Sequence, residues 1–190
     1  ALGAAIKYFE RNCWLSPSTT NTTDFMGIPY WVVKSNTAVT TNEGFNGTVP
    51  SGYTLVGNIN PTTYAPKWSN YATQYTNITK EDLVDKMWRM ATWTDFDPFH
   101  EDLKDYNSGD SLGYYTTYAV VRVMKQILES QNDNLGRDLD SQEGKVVFRR
   151  VPITWVKELE RDTTNPVYQL NWGVLKIGGL RGWHNKEVVI

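Results

Sequence analysis

Residues 78 to 96, ITKEDLVDKMWRMATWTDF, restrict the fold more than any other stretch of this chain. Thr79 carries the short hydroxyl that accepts from free amides at a helix start, and Asp82 stands three residues on, where a capping box needs an acceptor. Ile78 is placed to staple onto Leu83 across that first turn. Behind the cap, Leu83, Met87 and Ala91, with Val84 and Trp88, recur at the spacing that lines one helix face, while Lys80 and Lys86 fall on the wet side. The spacing predicts a helix over 79–93 with Met87 and Trp88 packed inward. A second helix is expected over 113–130, where Tyr114, Tyr118, Val121, Met124 and Leu128 recur three and four apart. The polar run QNDNLGRDLDSQEGK breaks it. After the break KVVFRR, ITWV, VYQLNWGVLKI and WHNKEVVI read as strands, two of them near 145–150 and 167–177. Helices followed by sheet predict an α+β fold rather than alternating parallel units.

The first part of the chain has a different character. Ala5, Tyr8, Phe9 and Cys13 share helical spacing, so residues 1–14 read as a helix with these side chains inward and the Cys13 thiol inert. From 15 to 75 the composition turns to Thr, Asn, Gly, Pro and aromatics, with MGIPYWVVK and SGYTLVGNI as short strands among turns. So long an irregular stretch marks a functional or partner-packed loop, and Tyr30, Trp31, Tyr53, Tyr64 and Trp68 are available for burial against neighbouring copies. The chain opens on Ala1 without a leader-like basic and apolar pattern and closes on a strand-like KEVVI, so a segment of a longer polypeptide is expected.

The 190 residues fit one ordinary domain, and a formal charge of −2 with interspersed signs offers no broad basic surface for nucleic acid or membrane. Cys13 is the single cysteine, so no internal disulfide is available. No apolar run reaches the length of a membrane span.

Candidates for chemistry are few. His100, in DPFHEDLKD, has acids around it but no second ligand at metal spacing, and reads as a surface turn. His184, in RGWHNK, lacks a nucleophile to activate. Both histidines are expected to be dispensable. The pairs Asp95 and Asp97, or Glu158 and Glu160, resemble a glycosidase dyad only in being two apart, which on a strand merely puts them on one face. Asn21, Asn46 and Asn77 begin Asn-x-Thr triplets, which a chain rich in Asn and Thr produces by chance. No phosphate loop or metal-spaced cluster occurs. The sequence therefore assigns no catalytic, cofactor-binding or metal-binding residue, and expects no enzyme and no cofactor.

The order of segments brings in a family. IKYFERNCWLSPSTTNTTDFMGIPYWVV resembles the stretch of tailed-bacteriophage major capsid proteins where a spine helix ends and a loop leads to a Gly-Ile turn. NITKEDLVDKMWRM is similar to the capped helix that follows there. Residues 127–177 resemble the family's later run of helix, polar loop, strand, turn and strand. Two features depart from it. Arg150-Val151-Pro152-Ile153 stands where the family carries Gly-x-Pro-Val, which puts the tight glycine turn in question, and the family's N-terminal arm and extended hairpin have no counterpart.

That resemblance implies an HK97-like α+β fold, present in part: 1–78 as the end of the spine helix with peripheral-domain loops and strands, 79–150 as an axial-type region with two helices, and 151–190 as returning strands. It implies a structural protein that self-assembles into an icosahedral capsid around viral DNA. Its partners would be copies of itself in pentamers and hexamers, scaffold, portal or decoration proteins, and packaged DNA touched non-specifically, with no membrane. Its place would be the virion, after assembly in the host cytoplasm. The alternative from the residues is a carbohydrate-binding or glycan-hydrolysing β-rich protein using the aromatics as a platform. Within the capsid reading, Asp162 to Pro166 would be a turn with Asn165 held extended by the proline after it, leading into a strand with Trp172 in core or contact space.

Overall fold

The computed structural model describes residues 2–16, 25–34, 43–46, 49–50, 52–61, 63–64, 68–96, 111–131 and 146–175. In chain order the described elements are α1 (Leu2–Leu15), α2 (Ile28–Trp31), β1 (Glu43–Asn46), β2 (Asn70–Thr73), a π-helical turn (Lys80–Val84) running into α3 (Asp85–Trp93), β3 (Leu112–Thr116), α4 (Tyr118–Gln131), β4 (Val146–Phe148), β5 (Val151–Trp155), a 3₁₀ turn (Lys157–Arg161) and β6 (Tyr168–Asn171). The class is α+β, as expected. β1 and β2 form an antiparallel ribbon, and a mixed sheet runs in the order β4-β5-β3-β6. Its one parallel pair, β3 with β5, has α4 between the two strands in sequence, so a crossover unit is present that the helix-then-sheet reading did not include.

The sheet separates two cores. On one face Leu112 and Tyr114 of β3 join Val146, Phe148, Val151 and Ile153, with Leu83, Met87, Met90 and Ala91 of the α3 region and Val120 and Met124 of α4. On the other, Tyr168 and Leu170 of β6 pack with Trp14, Ile28, Val156 and Leu159, and Tyr115 leans on them. Period-2 alternation along β3 and β6 explains the split: neighbouring side chains serve opposite cores.

The capped helix forms as the sequence indicates. Thr79 lies in the extended region and its hydroxyl accepts from the Asp82 amide at 3.2 Å. Ile78 and Leu83 join the same apolar cluster, as the staple requires. The Asp82 carboxylate does not close a reciprocal box on Thr79. It accepts instead from the Thr76 and Asn77 amides at 2.7 and 2.8 Å, ordering the approach to the helix. Met87 is buried, but Trp88 is 49% exposed, correcting the expected inward packing. Its neighbour Met87 takes the central position. Trp88 lies at the rim, edge-on to Phe148 and beneath the Arg149 guanidinium at 4.6 Å. Lys80 is exposed, whereas Lys86 is half-buried and bonds both Asp82 and the Gln74 carbonyl.

The helix expected over 113–130 begins later, at Tyr118, because 112–116 is a strand. Two tyrosines and a threonine suit a strand buried on both faces. The spacing of four from Tyr114 to Tyr118 reflects no shared helix face. Gly113 is needed there, since a Cβ would lie 2.6 Å from the Tyr115 ring. The strand near 145–150 is confirmed as β4. It ends at Phe148, since Arg149 and Arg150 both take left-handed φ, 50° and 66°. With Phe148 paired to Val151, they form the two-residue turn that Asn-Gly usually makes. The tight turn exists without glycine. The strand near 167–177 shortens to β6, followed by a turn at Trp172–Val174, and the fourth expected strand, 183–190, lies outside the described residues.

Two strands expected in the first part are not strands. Residues 28–31 of MGIPYWVVK form the short helix α2, where Pro29 fits the first turn because its missing N–H costs nothing there. Gly27 is fixed by close approach: a Cβ would stand 2.5 Å from the Asn12 carbonyl and 2.8 Å from those of Cys13 and Ser16. In SGYTLVGNI a bridge joins Val56 to Ile59 around left-handed Gly57 and Asn58, so a tight turn replaces the strand. Tyr30 is buried within the chain, edge-on to Trp31 and Tyr53, and accepts from the Gly57 amide at 3.1 Å. The expected inner face of α1 is likewise corrected. Tyr8 and Phe9 are exposed and Cys13 is half-buried, while Asn12, Trp14 and Ser16 at its C-terminal end are buried.

The Asp82 cap sets a pH dependence. The Lys86 hydrogen bond, then the Asn77 and Thr76 amides, lower its carboxyl from 3.8 to about 2. A folded pKa below the unfolded one adds stability that is present above the unfolded value and lost as pH falls through the folded one. Urea unfolding of wild type and Asp82→Asn from pH 6 to pH 2 should show a wild-type excess that is full above pH 4 and vanishes towards pH 2.

Candidate functional site

The densest polar constellation among the described residues lies at Asp162 to Pro166, where the 3₁₀ turn hands the chain to β6. Asp162 accepts from the Thr164 amide at 3.0 Å and the Thr164 hydroxyl at 2.7 Å, and its carbonyl accepts from the Asn165 amide at 3.1 Å. This is a turn stapled by its own aspartate. Lys34, which follows α2 in the chain, reaches in to Asp162 and donates to the Thr164 hydroxyl at 3.0 Å. Burial raises the Asp162 carboxyl, but the hydrogen bonds from Lys34 and Thr164 and the Lys34 charge outweigh it and hold the group below its ordinary range.

Asn165 is the centre of this junction and is not extended. Its φ is 50°, in the left-handed region that asparagine tolerates better than most residues. Three bonds fix it there against the preference set by Pro166. Besides the bond from its own amide, its side-chain oxygen accepts from the Thr117 hydroxyl at 3.0 Å and its carbonyl accepts from the Tyr75 hydroxyl. One residue on, the Pro166 carbonyl accepts from the Thr116 hydroxyl at 2.9 Å. Thr116 and Thr117 are both buried and form the joint between β3 and α4, and the Thr116 carbonyl also accepts from the Val156 amide at 3.0 Å. Burial, with the Asp162 and Asp82 charges, pushes the Tyr75 hydroxyl up to about 12. It stays a neutral donor.

The polar side chains of this junction bond main chain or one another, an arrangement suited to positioning. Residues after it continue the same work. Trp172 is partly exposed, but its indole donates to the Tyr115 hydroxyl at 2.6 Å and its amide to the Ser111 carbonyl at 2.8 Å. Nothing in the sequence pointed to the Thr116–Thr117 joint, because its threonines read as part of a helix.

Only some of the residues weighed for chemistry fall among the described ones. His100, His184, Asp97 and Asn21 lie outside the described residues. Glu158 and Glu160 lie on the 3₁₀ turn rather than a strand. Glu158 pairs with Arg161, while one Glu160 oxygen accepts from the Trp155 indole at 2.6 Å and from the Tyr118 amide, capping α4 from a distance. Burial, then Glu10, raises the Cys13 thiol, away from the reactive thiolate. Thr79 of the Asn77 triplet is the α3 cap. Among the described residues no group of three or more His, Cys, Asp or Glu could hold a metal ion, and no helix is long and apolar enough to cross a membrane.

A cleft of about 940 Å³ opens beside the junction, between β2 and β6, with α3 as its floor. Searches of protein-family models, curated proteins and solved structures found no match for the chain.

Replacing Asn165 separates its two roles. Asn165→Ala leaves the buried Thr117 hydroxyl without its acceptor and puts in the left-handed site a residue that tolerates it less well than asparagine, together about 3 kcal/mol. Asn165→Gly removes the acceptor together with the Cβ that strains a left-handed residue, and should regain about 1 kcal/mol of that. Urea midpoints at unchanged m-value measure both.

Proposed function

We propose that this chain is a structural subunit of a tailed-bacteriophage capsid with the HK97-like fold, self-assembling into the icosahedral shell that encloses viral DNA. The observation that carries this reading is the apolar surface left uncovered within the chain. Ile6 and Tyr8 on α1, at 58% and 55% exposure, stand with Phe9, and Trp93 is 62% exposed at the end of α3. Large apolar side chains left exposed on two helices are what a surface for other proteins would offer. Copies repeating the same edges around symmetry axes provide that contact.

The segment order supports the same reading. α1 takes the place of the end of the spine helix, Gly27 and Ile28 that of the turn after it, and α3 that of the capped helix. The junction at Asp162 to Pro166 has the character expected of a rigid plate, with its polar groups fixing strands against helices. In this role the chain meets copies of itself in pentamers and hexamers, and scaffold, portal or decoration proteins. It touches packaged DNA only non-specifically and resides in the virion after assembly in the host cytoplasm. It needs no catalytic residue and no cofactor.

Sedimentation velocity and negative-stain imaging of the expressed full-length gene product test the proposal. The expected result is shells or capsomer rings, suppressed by Ile6→Asp, which should change the unfolding free energy of the isolated subunit by no more than about 0.5 kcal/mol. A monodisperse monomer at every concentration, indifferent to that substitution, would overturn it.

A further inference from the structure

One end of the cleft between β2 and β6 is tied like a pivot. Tyr75 donates to the Asn165 carbonyl there, and Lys86 holds the adjoining Gln74 carbonyl. β2 precedes Tyr75 and β6 follows Asn165, so the two strands leave this point as separate arms. Residues 69–75 of one arm and 166–169 of the other line the cleft.

The arms carry complementary polar groups that do not meet. The Ser69 and Thr73 hydroxyl oxygens on the first and the Gln169 side-chain oxygen on the second are buried, and none has a hydrogen-bond partner among the described residues. Gln169 is held in orientation, because its amide nitrogen donates to the Thr94 hydroxyl at 2.6 Å and that hydroxyl donates to the Met90 carbonyl at 2.7 Å. Two donors on one arm therefore lack the acceptor that the other arm holds spare. Gln169 also stands at a matching distance from the pivot, four residues beyond Asn165, while Thr73 lies two and Ser69 six residues before Tyr75. Buried groups left unpaired cost free energy that pairing across the cleft recovers.

The β2 arm is the one able to travel. Its ribbon of two four-residue strands is too small to be stable alone, whereas β6 is joined to a four-stranded sheet. Away from the pivot the ribbon is latched by exposed contacts: Glu43 with Arg89 of α3 at 3.0 Å, and the Asn70 side chain donating to the Trp31 carbonyl at 2.7 Å. An exposed ion pair holds weakly. Tyr71 adds packing on the apolar floor, which has no direction to fix the arm in place.

We propose that the β1–β2 ribbon is a strap that closes on β6. It pivots at Tyr75 and Asn165, and in the closed state the Ser69 and Thr73 hydroxyls donate to the Gln169 side-chain carbonyl. The cleft is its open state. Closing needs no ligand and no second copy, so the inference stands apart from the shell reading.

Amide exchange at 70–73 reads the closed state. In an arm that never closes the two hydroxyls stay unpaired, so the double variant Ser69→Ala/Thr73→Val would exchange like wild type or more slowly. Closure predicts the reverse: exchange at 70–73 at least tenfold faster, with 112–116 unchanged. Arg89→Met releases the latch and should slow exchange at 70–73 at least threefold, a gain that adding the double variant abolishes. This arm of the test replaces an exposed side chain and stands even if the double variant fails to fold. Unchanged or slower exchange in the double variant, or unchanged or faster exchange in Arg89→Met, overturns the inference.

Discussion

The hydrogen bond from Thr117 to the side chain of a left-handed Asn165 is the constraint on which the arrangement of the other elements depends. Around it, one turn holds the β3–α4 joint through Thr116 and Thr117, the end of the β2 segment through Tyr75, and the chain after α2 through Lys34. Buried donors and acceptors must be paired, so these bonds act together: losing one exposes the others to the cost of an unsatisfied partner. The two cores meet across this junction. Shifting it by one residue would swap the faces that Val167 and Tyr168 present and empty both.

Where local physics decided the outcome, the sequence was legible. Thr79, Ile78 and Leu83 form a cap and staple from short-range rules, and Phe148 to Val151 closes as a hairpin between two apolar runs. The misreadings have a common cause. Tyr114 and Tyr115 serve opposite cores, so β3 lacks the alternation that marks a half-exposed strand, and its aromatics blended into the period of α4. MGIPYWVVK has the local pattern of a strand because the contact of Gly27 with the carbonyls of Asn12, Cys13 and Ser16, at the end of α1, is long-range and invisible in that pattern. The proline after Asn165 favours an extended conformation there. Three bonds from residues distant in sequence or set by the turn outweighed that preference. The junction itself could not be read in advance, since its partners come from positions 34, 75, 116 and 117.

Left-handed backbone also occurs at the β4–β5 turn. Arg149 and Arg150 hold left-handed conformations that cost about 1–3 kcal/mol each for residues with a Cβ, and the stacking of Arg149 on Trp88 offsets part of that cost. Trp88, Trp93 and the outer face of α1 leave apolar area in water that the interior does not need. A braced interior with exposed apolar side chains is the division of labour that the proposed shell subunit would require.

A double-mutant cycle between Tyr75→Phe and Thr117→Val tests this account most directly, because the two hydroxyls bond different atoms of Asn165. If the turn is a single cooperative junction, urea unfolding of the four proteins will give a coupling energy of about 1 kcal/mol or more. Additivity within about 0.3 kcal/mol would mean that the two contacts act independently, and that the fold is held elsewhere.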